Sequence, residues 1–251
     1  MFPSYMLENP ALETVKAFVT GELEIAAFME RYYADDTLQE YLNSIVDYIA
    51  EHHIPVKRRT IFMKNVNQNK PFAARSEVEI FILEYARELK GLSEKWKENP
   101  PRVGEYLKTQ SHETAYGAYK IHEIVSDIYY QIDFTIQRTK KYRDEYEFSL
   151  DVLPGYLAGG ISAENYVSQY ILSKYPATMK KGERKRLVKE AIKLAFRREC
   201  KGFPRWIQMP EWPMDDDGKP MVYTGQKAFQ HRTEYYFRDE KKEMHTITQW
   251  W

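Results

Sequence analysis

The apolar pattern of this chain changes period near residue 200, and that change limits the fold more than any other feature. Upstream, apolar residues recur at three- and four-residue spacing. Leu12, Val15, Ala17, Phe18 and Val19 form one stripe, and Ile25, Phe28, Met29 and Tyr32 form a second after a break at Gly21. Leu38, Tyr41, Leu42, Ile45, Val46 and Ile49 form a third, which Pro55 ends. Such spacing gathers apolar side chains on one helix face. Ser76 followed by Glu79 reads as a reciprocal cap that opens a helix through Ile80, Leu83, Ala86 and Leu89. Gly91 and Asn99-Pro100-Pro101 mark the next loop. Between Ser111 and Tyr146 there is no proline, and Ile121, Ile124, Val125, Ile128, Ile132 and Ile136 predict one long central helix.

Downstream of Pro204 the pattern is that of strands and turns. Asp217-Gly218 is a tight-turn dipeptide flanked by apolar and aromatic residues, the arrangement of a hairpin. Thr233 to Arg238, the charged turn Asp239-Glu240-Lys241-Lys242, and His245 to Trp250 repeat it. The predicted fold is α+β: a mostly helical body over 1–200, with a C-terminal antiparallel β-meander of three or four strands over 201–251 packed on it.

The helical part contains an echo. Phe18-Val19-Thr20-Gly21-Glu22-Leu23, then Phe28-Met29 and Tyr32, matches Tyr156-Leu157-Ala158-Gly159-Gly160-Ile161, then Tyr166-Val167 and Tyr170, at equal offsets. Each glycine suits a left-handed helix stop, so a recurring helix-turn-helix unit is expected. Two copies are too few for a solenoid.

The C-terminal segment resembles the closing module of immunity proteins from bacterial polymorphic toxin systems. The residues that carry the likeness are Pro210-Glu211-Trp212-Pro213, Gly218-Lys219-Pro220, Gly225-Gln226 and Trp250-Trp251, about a fifth of the chain. The resemblance implies a protein that binds and silences one cognate toxin in the cell that makes both. It carries over no catalytic residue and no cofactor.

Composition sets further bounds. Lysine plus arginine equals aspartate plus glutamate at 37 each, so net charge argues for neither a nucleic-acid nor a membrane partner. No run approaches the roughly 18 apolar residues of a membrane span. Cys200 is the only cysteine, which excludes an intrachain disulfide, and the first ten residues lack the basic start of a secretory signal. A cytoplasmic location is expected.

Charge is segregated along the chain. Residues 1–55 carry ten acidic residues against Lys16 and Arg31, while 180–201 carry ten basic residues against Glu183, Glu190 and Glu199. Either the two patches answer each other within the fold, or one of them meets a partner. The basic segment reads as a helix with Leu187, Val188, Ala191, Ile192 and Ala195 inward and Lys185, Lys189, Lys193 and Arg197 outward. Such a row can follow a phosphate backbone, which makes nucleic-acid binding the second reading.

Candidate chemistry is sparse. His112-Glu113 and His122-Glu123 lie ten residues apart, about 280° and about 15 Å on a helix, so the histidines cannot share a metal from one helix and read as surface or capping residues. In Asp215-Asp216-Asp217-Gly218 the glycine comes too early for a calcium loop. No phosphate-binding glycine loop is present. Cys200 lies among Arg197, Arg198 and Lys201, which favour a thiolate, but nothing in the sequence supplies its base. No catalytic, metal or cofactor residue is assigned. For a toxin-binding role the expected contacts are Arg205, Trp206, Trp212 and Tyr223 in the β-unit, since Trp, Tyr and Arg dominate interface energies. Glu22, Glu24, Asp35 and Asp36 form a separate acidic candidate.

Overall fold

The computed structural model describes residues 2–51 and 102–251. The expected cap at Ser76 and Glu79, the stop at Pro55 and the loop markers at Gly91 and 99–101 lie outside them. The fold is α+β, with helices followed by a three-stranded antiparallel sheet. The described chain packs as two compact units, one of residues up to 112 with 117–140, the other of 113–116 with 141–251.

The first unit is helical: α1 (Ser4–Leu7), α2 (Ala11–Thr20), α3 (Ile25–Ala34), α4 (Asp36–Glu51), α5 (Val103–Thr109) and, from Gly117 onward, α6 (Ala115–Ile132). The predicted stripes form its core. Val15, Phe18, Val19, Phe28, Met29, Tyr32, Leu42 and Ile45 are buried, and Phe18 stacks on Phe28 at 4.1 Å between centroids. Gly21 ends α2 in the left-handed conformation, its N–H donating to the carbonyl of Phe18.

The long helix expected through Ile136 stops at Ile132. Asp133 breaks it without a proline: its Oδ1 accepts from the Thr135 amide at 2.8 Å and from the Thr135 hydroxyl at 2.7 Å. An aspartate that satisfies the backbone two residues on competes with helical hydrogen bonding. The expectation of surface histidines fails at His122, which is buried with Nε2 3.2 Å from the carbonyl of Val19 and its ring edge-on to Phe18.

The second unit contains α7 (Lys141–Val152), α8 (Ile161–Tyr166), α9 (Lys181–Ala195), and strands β1 (Val222–Ala228), β2 (Arg232–Arg238) and β3 (Met244–Trp250). α8 continues through one turn of π-type bonding over Val167–Ile171. Gly159 repeats the left-handed conformation of Gly21, φ being +88° and +89°, but closes a single turn begun at Pro154 rather than a helix. The echo is therefore one of turn geometry more than of paired helices.

The sheet runs β1-β2-β3, each neighbour antiparallel. Period-two alternation assigns its faces. Thr233, Tyr235 and Phe237 are buried, while Arg232, Glu234, Tyr236 and Arg238 lie on the opposite face. The buried face meets Phe148, Val152, Leu157, Val167, Ile171, Val188, Ile192 and Phe196 from the helices, with Trp212, Met221 and Tyr223 between. Residues 141–196 thus share one core with the meander, and the compact unit holding the sheet reaches back to Lys141. The Asp217-Gly218 turn forms as expected: Asp215 Oδ1 accepts from the amides of Asp217 and Lys219, and the Asp215 amide donates to the carbonyl of Lys219. Its arms meet in one bridge, Met214 with Pro220, rather than in extended strands.

Gln249 organises the loop before the sheet. It is buried, and its Oε1 accepts from the amides of Ile207 at 3.2 Å and Gln208 at 3.1 Å, while its Nε2 donates to the carbonyl of Met209 at 2.8 Å. The Tyr235 hydroxyl also accepts from Ile207, so Gln208 is the amide that Gln249→Leu would strand. Gln208 is exposed, so water can take up its amide, and the expected loss is about 1 kcal/mol, the net worth of a hydrogen bond, measured by urea denaturation.

Candidate functional site

The outward sheet face gathers cations and aromatics on a rigid element. The Arg232 guanidinium lies 4.5 Å from the ring centroid of Phe229 and 5.6 Å from that of Trp250, and its Nε donates to Glu234 at 3.0 Å. Lys227, opposite Glu234 in the ladder, places Nζ 5.0 Å from the Phe229 ring. The Tyr236 hydroxyl donates to the other Glu234 oxygen at 2.8 Å. That bond first, and Arg232 second, hold the Glu234 carboxyl below the usual glutamate range, and the same bond raises the Tyr236 hydroxyl. Glu234 therefore stays ionised near neutral pH and fixes the orientation of both partners. Trp250 and Trp251 are 55% and 76% exposed, and the Trp251 amide donates to the carbonyl of His231. Large aromatic area beside a stacked arginine is the composition of an interface anchor.

The contacts expected from sequence in this unit divide by burial. Trp212 is 1% exposed, and its indole N–H donates to the carbonyl of Met221 at 2.9 Å. Tyr223 is 2% exposed, and burial pushes its hydroxyl up to about 12. Both belong to the core, so the surface of the β-unit does not present them. Trp206 is half-buried, packed on Tyr235 at 4.4 Å, with its N–H donated to the carbonyl of Tyr156. Arg205 is exposed, and its backbone is pinned by Gln226 and by the Tyr235 hydroxyl. Arg232, Phe229, Trp250 and Trp251 were missing from the expected set. Alternation could have found Trp250: Ile247 packs against the core, and an odd offset from it points outward.

The four acidic candidates of the first unit are exposed but do not form one patch. Glu22 and Glu24 precede α3, whereas Asp35 and Asp36 follow it. Ten helical residues separate the pairs, about 15 Å of rise. Each pair lies where a helix dipole favours negative charge, and Asp35 Oδ1 accepts from the Thr37 amide at 2.9 Å. The Thr37 hydroxyl, with that amide, lowers the Asp35 carboxyl.

Part of the basic segment is consumed within its own unit. Arg184 is buried, forks onto both oxygens of Glu145, donates Nε to the carbonyl of Tyr175 at 2.7 Å and stacks 4.0 Å over Phe148. Lys185 pairs with Asp151 at 2.7 Å, and Arg186 with Glu190 at 3.0 Å. Lys189 and Lys193 face solvent as expected, and Arg197 does so beyond the helix end. Cys200 is half-buried against the core, with its Sγ 4.0 Å from the carbonyl of Gly202.

Among the described residues, Asp239, Glu243 and His245 bring three possible ligand atoms within 4.8 Å of one another. Asp239 Oδ1 is already engaged there, accepting from the Glu243 amide at 2.8 Å. No described helix is long and apolar enough to cross a membrane. No protein-family model, curated protein or solved structure matches the chain.

Proposed function

We propose that the protein is an immunity protein that binds a cognate bacterial toxin and inhibits it by steric occlusion, in the cytoplasm, without turnover or cofactor. The observation that carries this reading is the outward sheet face, where exposed Trp250 lies beside a guanidinium stacked on Phe229. The side chains there are held by the sheet and by Glu234, so little ordering entropy opposes docking. The Pro-Glu-Trp-Pro and Gly-Lys-Pro resemblance supports the same reading.

The site divides the labour. Trp250 supplies apolar area, Arg232 supplies directional hydrogen bonding, and Trp212 and Tyr223 support the sheet from inside. A toxin with a basic surface would in addition be steered by Glu22 and Glu24, which raises the rate of encounter more than the final affinity. Nucleic-acid binding through the basic helix is the second reading. Exposed Lys189 and Lys193 favour it, while the internal pairing of Arg184, Lys185 and Arg186 reduces the charge available.

The test is binding of the purified partner to Arg232→Ala and Trp250→Ala. Each is expected to weaken association roughly 30-fold, about 2 kcal/mol, as anchors at interface centres do. Melting temperatures should stay within two or three degrees of wild type, on the order of the shift for an exposed substitution. Affinity unchanged in both variants would remove this face from the site.

A further inference from the structure

The two edges of the sheet differ. β1 is engaged at the start of its outer edge: the Tyr223 amide donates to the carbonyl of Arg197, and the Glu199 amide donates to the carbonyl of Tyr223. β1 also carries a bulge between Tyr223 and Gly225. Both devices blunt an edge. β3 has neither. It is a straight seven-residue strand, Met-His-Thr-Ile-Thr-Gln-Trp, with no lysine, proline or bulge.

The direction of its free groups follows from the register. Asp239 bonds Glu243, and Trp251 bonds His231, so the pairs Phe237–His245, Tyr235–Ile247 and Thr233–Gln249 between them are the hydrogen-bonded ones. The amides and carbonyls of Met244, Thr246, Thr248 and Trp250 then point away from β2. Consistently, the carbonyl of Trp250 accepts from Gln208 Nε2 at 2.7 Å. The side chains of these four residues share the outward face, where Met244 is 58% and Trp250 55% exposed.

We infer that β3 pairs with the β3 of a second copy of this chain, antiparallel about a two-fold axis at Ile247, to give a continuous six-stranded sheet. The observation that selects a second copy is the strand's own complementarity. An axis at Ile247 sets Thr246 against Thr248 of the other copy in hydrogen-bonded pairs, repeated twice. The same axis sets Met244 against Trp250 at each end. Thr–Thr pairs suit cross-strand contact, and a thioether beside an indole is a favourable contact. The strand carries no carboxylate, lysine or arginine, so self-pairing sets no permanent like charges opposite each other. The carbonyl of Trp250 keeps a second lone pair for the ladder while Gln208 holds the first. A two-fold interface of this kind is the commonest form of self-association. It engages Met244 and Trp250 at the edge and leaves Arg232 for the partner described above. The two readings share Trp250 but are separated by their tests, chain mass for the dimer and Arg232→Ala for the partner face.

The experiment is sedimentation equilibrium of the whole chain from about 1 to 200 μM, a range that brackets weak dimers, with two variants. Thr248→Pro removes an amide that points outward and leaves the β2 ladder intact. Thr246→Lys places a charge at the edge, the usual guard against pairing. Wild type is expected to reach twice the 29.9 kDa chain mass, and both variants to stay at the single-chain mass with wild-type circular dichroism. A wild type at single-chain mass throughout overturns the inference. So does a dimer that survives in both folded variants, because the contact is then elsewhere. A wild type that is monomeric alone but loses partner capture in Thr248→Pro also overturns it, and assigns the edge to a strand of the partner.

Discussion

Trp212→Ala is expected to lower the stability of the second unit by about 3–5 kcal/mol, the range for removing a buried aromatic side chain. Trp212 joins three parts of that unit. Its ring is edge-on to Phe196 at the end of α9 at 5.4 Å and to Phe237 of β2 at 5.2 Å, and its N–H satisfies the carbonyl of Met221. Alanine would leave a cavity between helix and sheet and strand that carbonyl. Calorimetry should show the melting temperature falling by roughly 10 °C, given the entropy of unfolding for a chain of this size. Trp212→Phe should recover most of the packing but not the hydrogen bond, leaving a deficit of about 1–2 kcal/mol. This separates two roles for one residue. A docking anchor would lose affinity at constant melting temperature, whereas Trp212 should lose melting temperature first.

Arg184→Ala is expected to cost about 3 kcal/mol, near the lower end for breaking a buried ion pair because Glu145 is partly solvated. The substitution removes a two-pronged contact to Glu145, the bond to the carbonyl of Tyr175 and the stacking over Phe148. Arg184→Lys should not rescue it, since an ammonium cannot reproduce the planar fork or the stack. Arg184→Ala combined with Glu145→Ala should be less harmful than the sum of the single changes, because no carboxylate then lacks its partner. Urea denaturation of the four proteins closes this cycle. Equal and additive losses would mean that the pair is only adjacent and not coupled.

Much of this fold was legible in the sequence. The apolar stripes from Val15 to Ile45 became helices because three- and four-residue spacing has one low-energy reading in a chain with few internal breakers. The strands Thr233 to Arg238 and His245 to Trp250 followed from alternation between turn residues. Where the reading failed, the cause was polar side chains acting on backbone. Asp133 ended a helix that its isoleucines would have continued. Gln249 sits on the core side of β3 and caps a loop some forty residues upstream, which no local pattern encodes. Arg184 looked like one of a row of cations, yet it lies at four-residue spacing from Val188 and Ile192, both buried. That spacing was the available signal, and the basic run obscured it.

The site was less legible than the fold for the same reason. Trp212 and Tyr223 share the interface-favoured chemistry of Trp250, and only their place in the fold separates a core aromatic from an exposed one. Burial places the first two in the core and leaves the last exposed.

The most direct test of the immunity reading is capture by the tagged chain when it is expressed with the products of its neighbouring genes. The captured protein would then be expressed with and without this chain in a sensitive host. The account predicts one stoichiometric protein partner that survives high salt, stops growth alone and is neutralised by the wild-type chain but far less by Arg232→Ala. Nucleic acid released by salt, or a partner whose toxicity this chain leaves unchanged, would contradict it.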